Sequence, residues 1–436
     1  MILKTQHTEK SLPRLDLITS SFVIVYFAAL FYPHKALGGG VLLDGKTIIE
    51  LLVFSAFTLY ATAKLSVKEP LLEKTPFFMP LAALTLLVVV ASFFAQNRPI
   101  ALEAFFLYLA YIGCFYIFLS LLKDSNQHVS LVYIIICIAV ALSLWGLMQY
   151  YLLNLNPRLT SIWRLRATFG NSNQMAGFLA MTIPLFLGVI LTRKFSGKVL
   201  LSLWTTMVLM LAAQLFTYAR GGWIATSAGV SFILVTQFAV RKNLSKKVIL
   251  GALPVVLILA TLFISSTDLV NRFNTITQED TEVTLYGRKL AWQGTIDMIK
   301  ANPLTGVGPG NYSKAFRTFQ PPGLTEPYMY AHSDYLHFIS ETGVLLIPII
   351  IWLLFCLFKH GLEKIQHADL QMGGITLGAM GGIIAILVYS VSDFNLHIPA
   401  NALLFTVLAA IVAVPTSQYV VSNVHIAHGK NFCESV

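Results

Sequence analysis

Charge is what this chain has least of. Only 11% of its 436 residues are Asp, Glu, Lys or Arg, against 56% hydrophobic, and its mean hydropathy is +0.72. So little polar surface cannot cover so much apolar bulk, which excludes a soluble domain. Cysteine is scarce as well. Cys114, Cys137 and Cys356 fall in apolar runs and Cys433 in the tail, with no CxxC pair or Cys/His cluster. Neither a disulfide framework nor a zinc site is expected. No outward DxD-type carboxylate pair and no Walker lysine occurs, so no metal, cofactor or nucleotide fold is expected. The net charge of +10 does not signal nucleic acid here, because basic residues in a membrane chain serve topology first.

What the chain has is apolar runs of bilayer length. They recur at 16–33, 47–65, 76–95, 101–122, 129–151, 174–191, 199–218, 223–240, 247–265, 335–358, 372–391 and 398–419. The expectation is an all-α polytopic membrane protein with twelve spans. No small-residue cleavage site follows the first run, which is expected to be retained. The organisation expected is spans one to nine over 1–265, a large loop with short helices over 266–334, and spans ten to twelve with a short tail over 335–436. With the N-terminus cytoplasmic, the inner segments hold seventeen basic residues and the short outer ones seven. Both termini are therefore expected in the cytoplasm and 266–334 outside.

The kind of basic residue differs between the two sides. Fourteen of the seventeen inside are lysine, whereas outside lie Arg98, Arg158, Arg164, Arg166, Arg220, Arg272, Arg288 and Arg317. A planar guanidinium grips phosphate or carboxylate through two parallel hydrogen bonds, which an ammonium cannot do. The outer side reads as built to hold an anion.

Four outward segments carry the unusual chemistry. In "RLRATFGNSNQMAG" (164–177) two arginines precede a turn in which Asn171 or Asn173 can cap the next helix. In "TYARGGW" (217–223) the glycines suit a tight hairpin, but Arg220 sits at membrane depth or its edge, where a cation is costly unless an anion or water meets it. "GRKLAWQGTIDMIKANP" (287–303) predicts a helix with Arg288, Trp292, Ile296 and Ile299 on one face, ended by Asn302-Pro303. The "TGVGPGNY" that follows can expose backbone N–H groups to an anion, although such a stretch is usually a turn. "SVSDFNLHIPAN" (390–401) puts Asp393 and His397 in a short outward hairpin. Finally, "AHSDYLHFISETG" (331–343) places Asp334, His337 and Glu341 on one helical face, with His332 just before it. Imidazole is the side chain best suited to take a proton near neutrality.

In this order, "RATFGNSNQMAG", "YARGGW", "GRKLAWQGTIDMIKANPLTGVGPGNY" and "AHSDYLHFISETG" resemble the O-antigen ligase superfamily. The resemblance implies a GT-C-like glycosyltransferase of the Gram-negative inner membrane with a periplasmic active site. It implies an undecaprenyl-diphosphate-linked glycan donor, a lipid A–core acceptor, and an inverting, metal-independent transfer without cofactor. Its essential arginines fall on Arg220 and Arg288 and its essential histidine on His332, the base. Arg166 joins the diphosphate-binding set, and Asn171, Asn173, Asp334, His337, Glu341 and Asp393 are expected to support the site or bind acceptor.

Rival readings stay open. A polymerase or a protein O-oligosaccharyltransferase of the same superfamily would share these motifs. The one Arg-x10-Gly spacing, Arg166 to Gly177, is what eleven arginines and 28 glycines produce by chance, and the short segment after the last span favours the ligase. A small-anion (inorganic carbon) transporter would show internal symmetry and mid-span charge. Here the polar groups cluster on one side.

Overall fold

The computed structural model describes residues 45–66, 75–122, 125–153, 164–192, 195–241, 282–324 and 328–415, with Lys68, Pro70 and Leu72 between the first two stretches. Every regular element among them is helical. In chain order these are α1 (Gly45–Ser66), α2 (Phe78–Phe93), α3 (Arg98–Leu121), α4 (Ser125–Met148, running into a π turn at Gln149–Leu153), α5 (Ser172–Thr192), α6 (Gly197–Phe216) and α7 (Arg220–Arg241). Then come α8 (Glu282–Ala301), α9 (Tyr312–Phe319), α10 (Asp334–Thr342), α11 (Leu346–His367), α12 (Leu370–Tyr389), a 3-10 turn at Asn395–His397 and α13 (Pro399–Ala413). Helices α3 to α7, α11 and α12 are the seven described ones long and apolar enough to cross a membrane. The expected spans 16–33 and 247–265 lie outside the described residues, as do Arg158, Arg272 and Cys433.

The helix ends follow local chemistry. Asn97 Oδ1 accepts the Ile100 N–H at the start of α3, and Asp369 Oδ1 accepts the Met372 N–H at 2.7 Å at the start of α12. Pro399 opens α13, where its missing N–H costs nothing.

Helix α12 is the centre of the molecule, packed between α5 and α7. Small residues let the backbones touch. A Cβ on Gly188 of α5 would lie 2.4 Å from the Gly374 carbonyl, and one on Gly229 of α7 would lie 2.5 Å from that of Gly381. Without a hydrophobic drive between helices in lipid, such close van der Waals packing is what joins them.

One expectation needs correction. The run 335–358 is not one span: α10 ends at Thr342, and α11 starts only at Leu346. Gly343 makes the break with φ +86, and the Val344 N–H turns away to donate to the Pro303 carbonyl at 2.8 Å. Helix α8 forms and stops before Asn302-Pro303 as expected. Its buried stripe is Ala291, Thr295 and Met298, while Ile296 is exposed. Small residues win that face because Gly294 packs so near the Phe319 carbonyl that a Cβ there would lie 2.5 Å from it.

Candidate active site

The start of α5, the α6–α7 turn and the hairpin after α12 are tied together by one polar chain. Arg164 donates from Nε to the Thr217 carbonyl at 2.9 Å and from Nη2 to Asn173 Oδ1 at 2.8 Å. Asn173 Nδ2 then donates to Asp393 Oδ2 at 2.7 Å. Three segments far apart in sequence thereby meet. Asn171 is the cap of α5, its Oδ1 accepting the Gln174 N–H at 3.0 Å, which leaves Asn173 for the bridge.

Arg220 opens α7 two residues after Tyr218, which takes a left-handed φ of +52. A Cβ on neighbouring Gly221 would lie 2.7 Å from the Tyr389 ring and 3.3 Å from Ser392 Oγ, so the start of α7 abuts the end of α12. Arg288 reaches the same region from α8. Its charge acts on both Asp393 and His332. Burial raises the Asp393 carboxyl above its ordinary range, while Arg288, the Phe394 N–H and Asn173 oppose that shift. Arg166 is half-buried; its carbonyl accepts the Phe169 N–H, and its side chain makes no hydrogen bond or ion pair with a described residue.

His332 sits in the turn before α10 with φ +51, a left-handed conformation that a non-glycine residue adopts at a cost and that clusters at functional sites. Trp292 of α8 donates its indole N–H to the His332 carbonyl at 3.4 Å. The His332 ring meets Phe394 edge-on at 5.1 Å. Burial, then the charge of Arg288, pushes its pKa down to about 4. At neutral pH it is uncharged, and its buried Nδ1 has no partner among the described residues. On the outer side of α8 an open groove of about 420 Å³ is lined by Lys289, Trp292, Gln293, Ile296, Asp297 and Lys300.

Asp334, His337 and Glu341 do share one face of α10, and all three are buried. They are spent on the protein itself. Asp334 accepts from Ser390 Oγ at 2.7 Å, the Leu396 N–H at 3.0 Å and His397 Nδ1 at 2.6 Å. Glu341 accepts from the Tyr312 N–H at 3.1 Å and pairs with His337 Nε2 at 3.3 Å. The glycine-spaced stretch after α8 is thus an anion nest whose anion is the chain's own Glu341; against burial, which raises that carboxyl, His337 above all, then His397 and the Gly310 N–H, hold it below its usual range.

His337, Glu341 and His397 bring three possible metal-ligand atoms within 4.8 Å of one another. Their geometry is against a cation cage. The two imidazoles face each other with ring centres 4.0 Å apart, whereas rings converging on one ion through bonds of about 2.0–2.1 Å stand roughly 5 Å apart. His337 Nδ1 also already accepts the Ala331 N–H.

Sequence reasoning named Arg164 among the outer arginines and His397 in the last hairpin but gave neither a partner, and it did not single out Tyr389. The partners of Arg164 and His397 lie 9, 53 and 63 residues away, for which the sequence carries no local signal.

A family model described as O-Antigen ligase matches residues 205–353. The matched stretch holds Arg220, Arg288, His332, Asp334, His337 and Glu341, while the Arg164 segment precedes it and Asp393 and His397 follow. No curated protein matches the chain. Residues 205–353 thus resemble the O-antigen ligase family of glycosyltransferase-like membrane enzymes, in agreement with the motifs and with the seven membrane-length helices among the described residues.

Proposed function

We propose that the chain is an O-antigen ligase, transferring a glycan from undecaprenyl diphosphate to lipid A–core oligosaccharide at the periplasmic face of a Gram-negative inner membrane. The observation that carries this reading is that Arg288 of α8 acts on both His332 and Asp393, while the start of α7, where Arg220 lies, abuts the end of α12. The twelve-span topology with both termini cytoplasmic belongs to the same proposal and rests on the basic-residue asymmetry.

In this reading Arg220 and Arg288, with Arg166 nearby, receive the diphosphate and stabilise the charge that grows on it as the sugar C1–O bond breaks. His332 takes the proton of the acceptor hydroxyl as that oxygen attacks C1 from the opposite face. The anomeric centre inverts in a single displacement, and the lipid diphosphate leaves. Guanidinium groups do the work a divalent ion would otherwise do. The groove beside Trp292 offers polar side chains of both signs for acceptor sugars next to His332.

Donor binding also arms the base. Part of the low His332 pKa comes from Arg288, and an anionic diphosphate on Arg288 cancels that part. The acid limb of kcat, which reports the enzyme–substrate complex, is therefore expected at higher pH than that of kcat/KM. Coincident limbs would remove the arming step.

The decisive test is glycan transfer from the lipid-linked donor in detergent, with lipopolysaccharide analysis of a deletion strain. Ligase activity predicts lipid A–core without polymer and accumulation of lipid-linked polymer; loss of polymer itself would instead mark a polymerase. His332→Ala is expected to lower turnover by about 10²–10⁴-fold. Arg220→Lys and Arg288→Lys should each lose most activity despite keeping their charge, and EDTA should have little effect. EDTA inhibition reversed by magnesium would reject the metal-free mechanism.

A further inference from the structure

His332 keeps a left-handed backbone although it is not glycine, so something must hold it there. The residue before it supplies the answer. The Ala331 N–H, fully buried, donates to His337 Nδ1 at 3.3 Å, and His337 Nε2 faces Glu341 Oε1 at 3.3 Å. A backbone N–H can only donate, so Nδ1 must be the unprotonated nitrogen and Nε2 must carry the hydrogen. Glu341 accepts that hydrogen and is fixed in turn by the Tyr312 N–H. The ring itself is clamped, stacked on Tyr312 at 4.3 Å and lying against His397 at 4.0 Å.

We propose that His337 is a positioning residue for His332: Glu341 fixes its tautomer so that Nδ1 accepts the Ala331 amide and holds the turn that presents His332 to the site. This rests on the reading of His332 as the base. Protonating His337 would place a hydrogen on Nδ1 against the Ala331 N–H, two donors facing each other, and the turn would be released. The groups that face His337 are Glu341 and Asp334 on its own helix, Tyr312 from α9, Tyr330 from the loop and His397 from the 3-10 turn. Burial, then His397, lowers the His337 pKa against the pull of Glu341 and Asp334. The ring is thus neutral at pH 7, and the turn is lost only as pH falls below 6.5 toward that lowered value.

The test compares His337→Leu, which removes the acceptor, with His337→Asn, whose Oδ1 takes the place of Nδ1. Two readouts are used: hydrogen–deuterium exchange of the 328–335 segment, and kcat with KM for the lipid-linked donor across pH. His337→Leu should speed exchange at 328–335 and lower kcat on the order of 10²-fold, the scale of a small misplacement of a reacting group, with donor KM little changed. His337→Asn should recover most of both. Its acid limb should lose the contribution of His337 titration and keep that of His332. Unchanged exchange and kcat in His337→Leu would overturn the proposal, as would an Asn variant no better than Leu. If the wild type transfers no glycan while His337→Leu still frees the segment, the assigned reaction fails and the positioning role stands.

Discussion

Helices α11 and α12 are near twins by composition. They have 22 and 20 residues and the same mean hydropathy of 1.8, yet 17% of the apolar window of α11 is buried and 83% of that of α12. The difference lies in small residues. Helix α12 carries Gly373, Gly374, Gly378, Gly381 and Gly382, while α11 has Gly361 and turns Ile351, Trp352 and Phe355 outward. Hydropathy says that a helix can sit in a membrane. Small residues say that it sits against other helices rather than lipid.

The distinction bears on the site. Because α12 is locked between α5 and α7, the hairpin after it is a fixed platform, and it carries Ser390, Asp393 and His397. Helix α11 follows the break at Gly343 and carries none of the site. Its neighbour α10 is instead pinned to the α12 hairpin through Asp334.

The comparison can be broken most sharply at Gly378, where a Cβ would lie 2.7 Å from the Leu185 carbonyl and 2.9 Å from its Cα. Neither backbone can yield, so Gly378→Leu should cost about 3 kcal/mol or more, at or beyond the upper end of ordinary overpacking. Thermal unfolding in detergent would measure it, and a wild-type melting point would show that α12 is not clamped.

A comparable effect is expected at the pin between α10 and the α12 hairpin. Asp334→Ala leaves Ser390 Oγ, the Leu396 N–H and His397 Nδ1 without their acceptor. Removing one partner of such a buried pair costs about 3–5 kcal/mol. Proteolysis should reveal local opening near 390–397 before global unfolding. Equal protection in both proteins would mean that Asp334 is not the pin.

The smallest effect belongs to α11. Phe355 is 65% exposed on the face away from the core, so Phe355→Ala should change stability by no more than about 0.5 kcal/mol. A large loss there would mean that this face meets protein, which a crosslink from Phe355→Cys would identify.

Much of this was legible in the sequence. The apolar runs marked the helices because backbone polar groups in lipid must be satisfied within the segment. The surplus of arginine in the segments expected outside singled out Arg220 and Arg288 as candidates, Arg220 because a guanidinium at membrane depth is costly. His332 became a candidate by lying just before a helix. The break at Gly343 was not legible, since its cause is the Pro303 carbonyl that Val344 reaches. Nor was the burial of Ala291, Thr295 and Met298 in α8, where Gly294 comes close to Phe319.

By itself the sequence determined that this is a helical membrane protein resembling the O-antigen ligase superfamily over residues 205–353, with Arg220, Arg288 and His332 as candidate site residues. Those are properties of single segments: hydropathy, charge type and short motifs. Only the tertiary structure decided that Glu341 fills the glycine nest, that Asp334 and His397 pair across 63 residues, and that Arg164 reaches Asp393 through Asn173. Each depends on a hydrogen bond short enough to form only after distant helices have packed, and no local pattern records where a helix will find its neighbour.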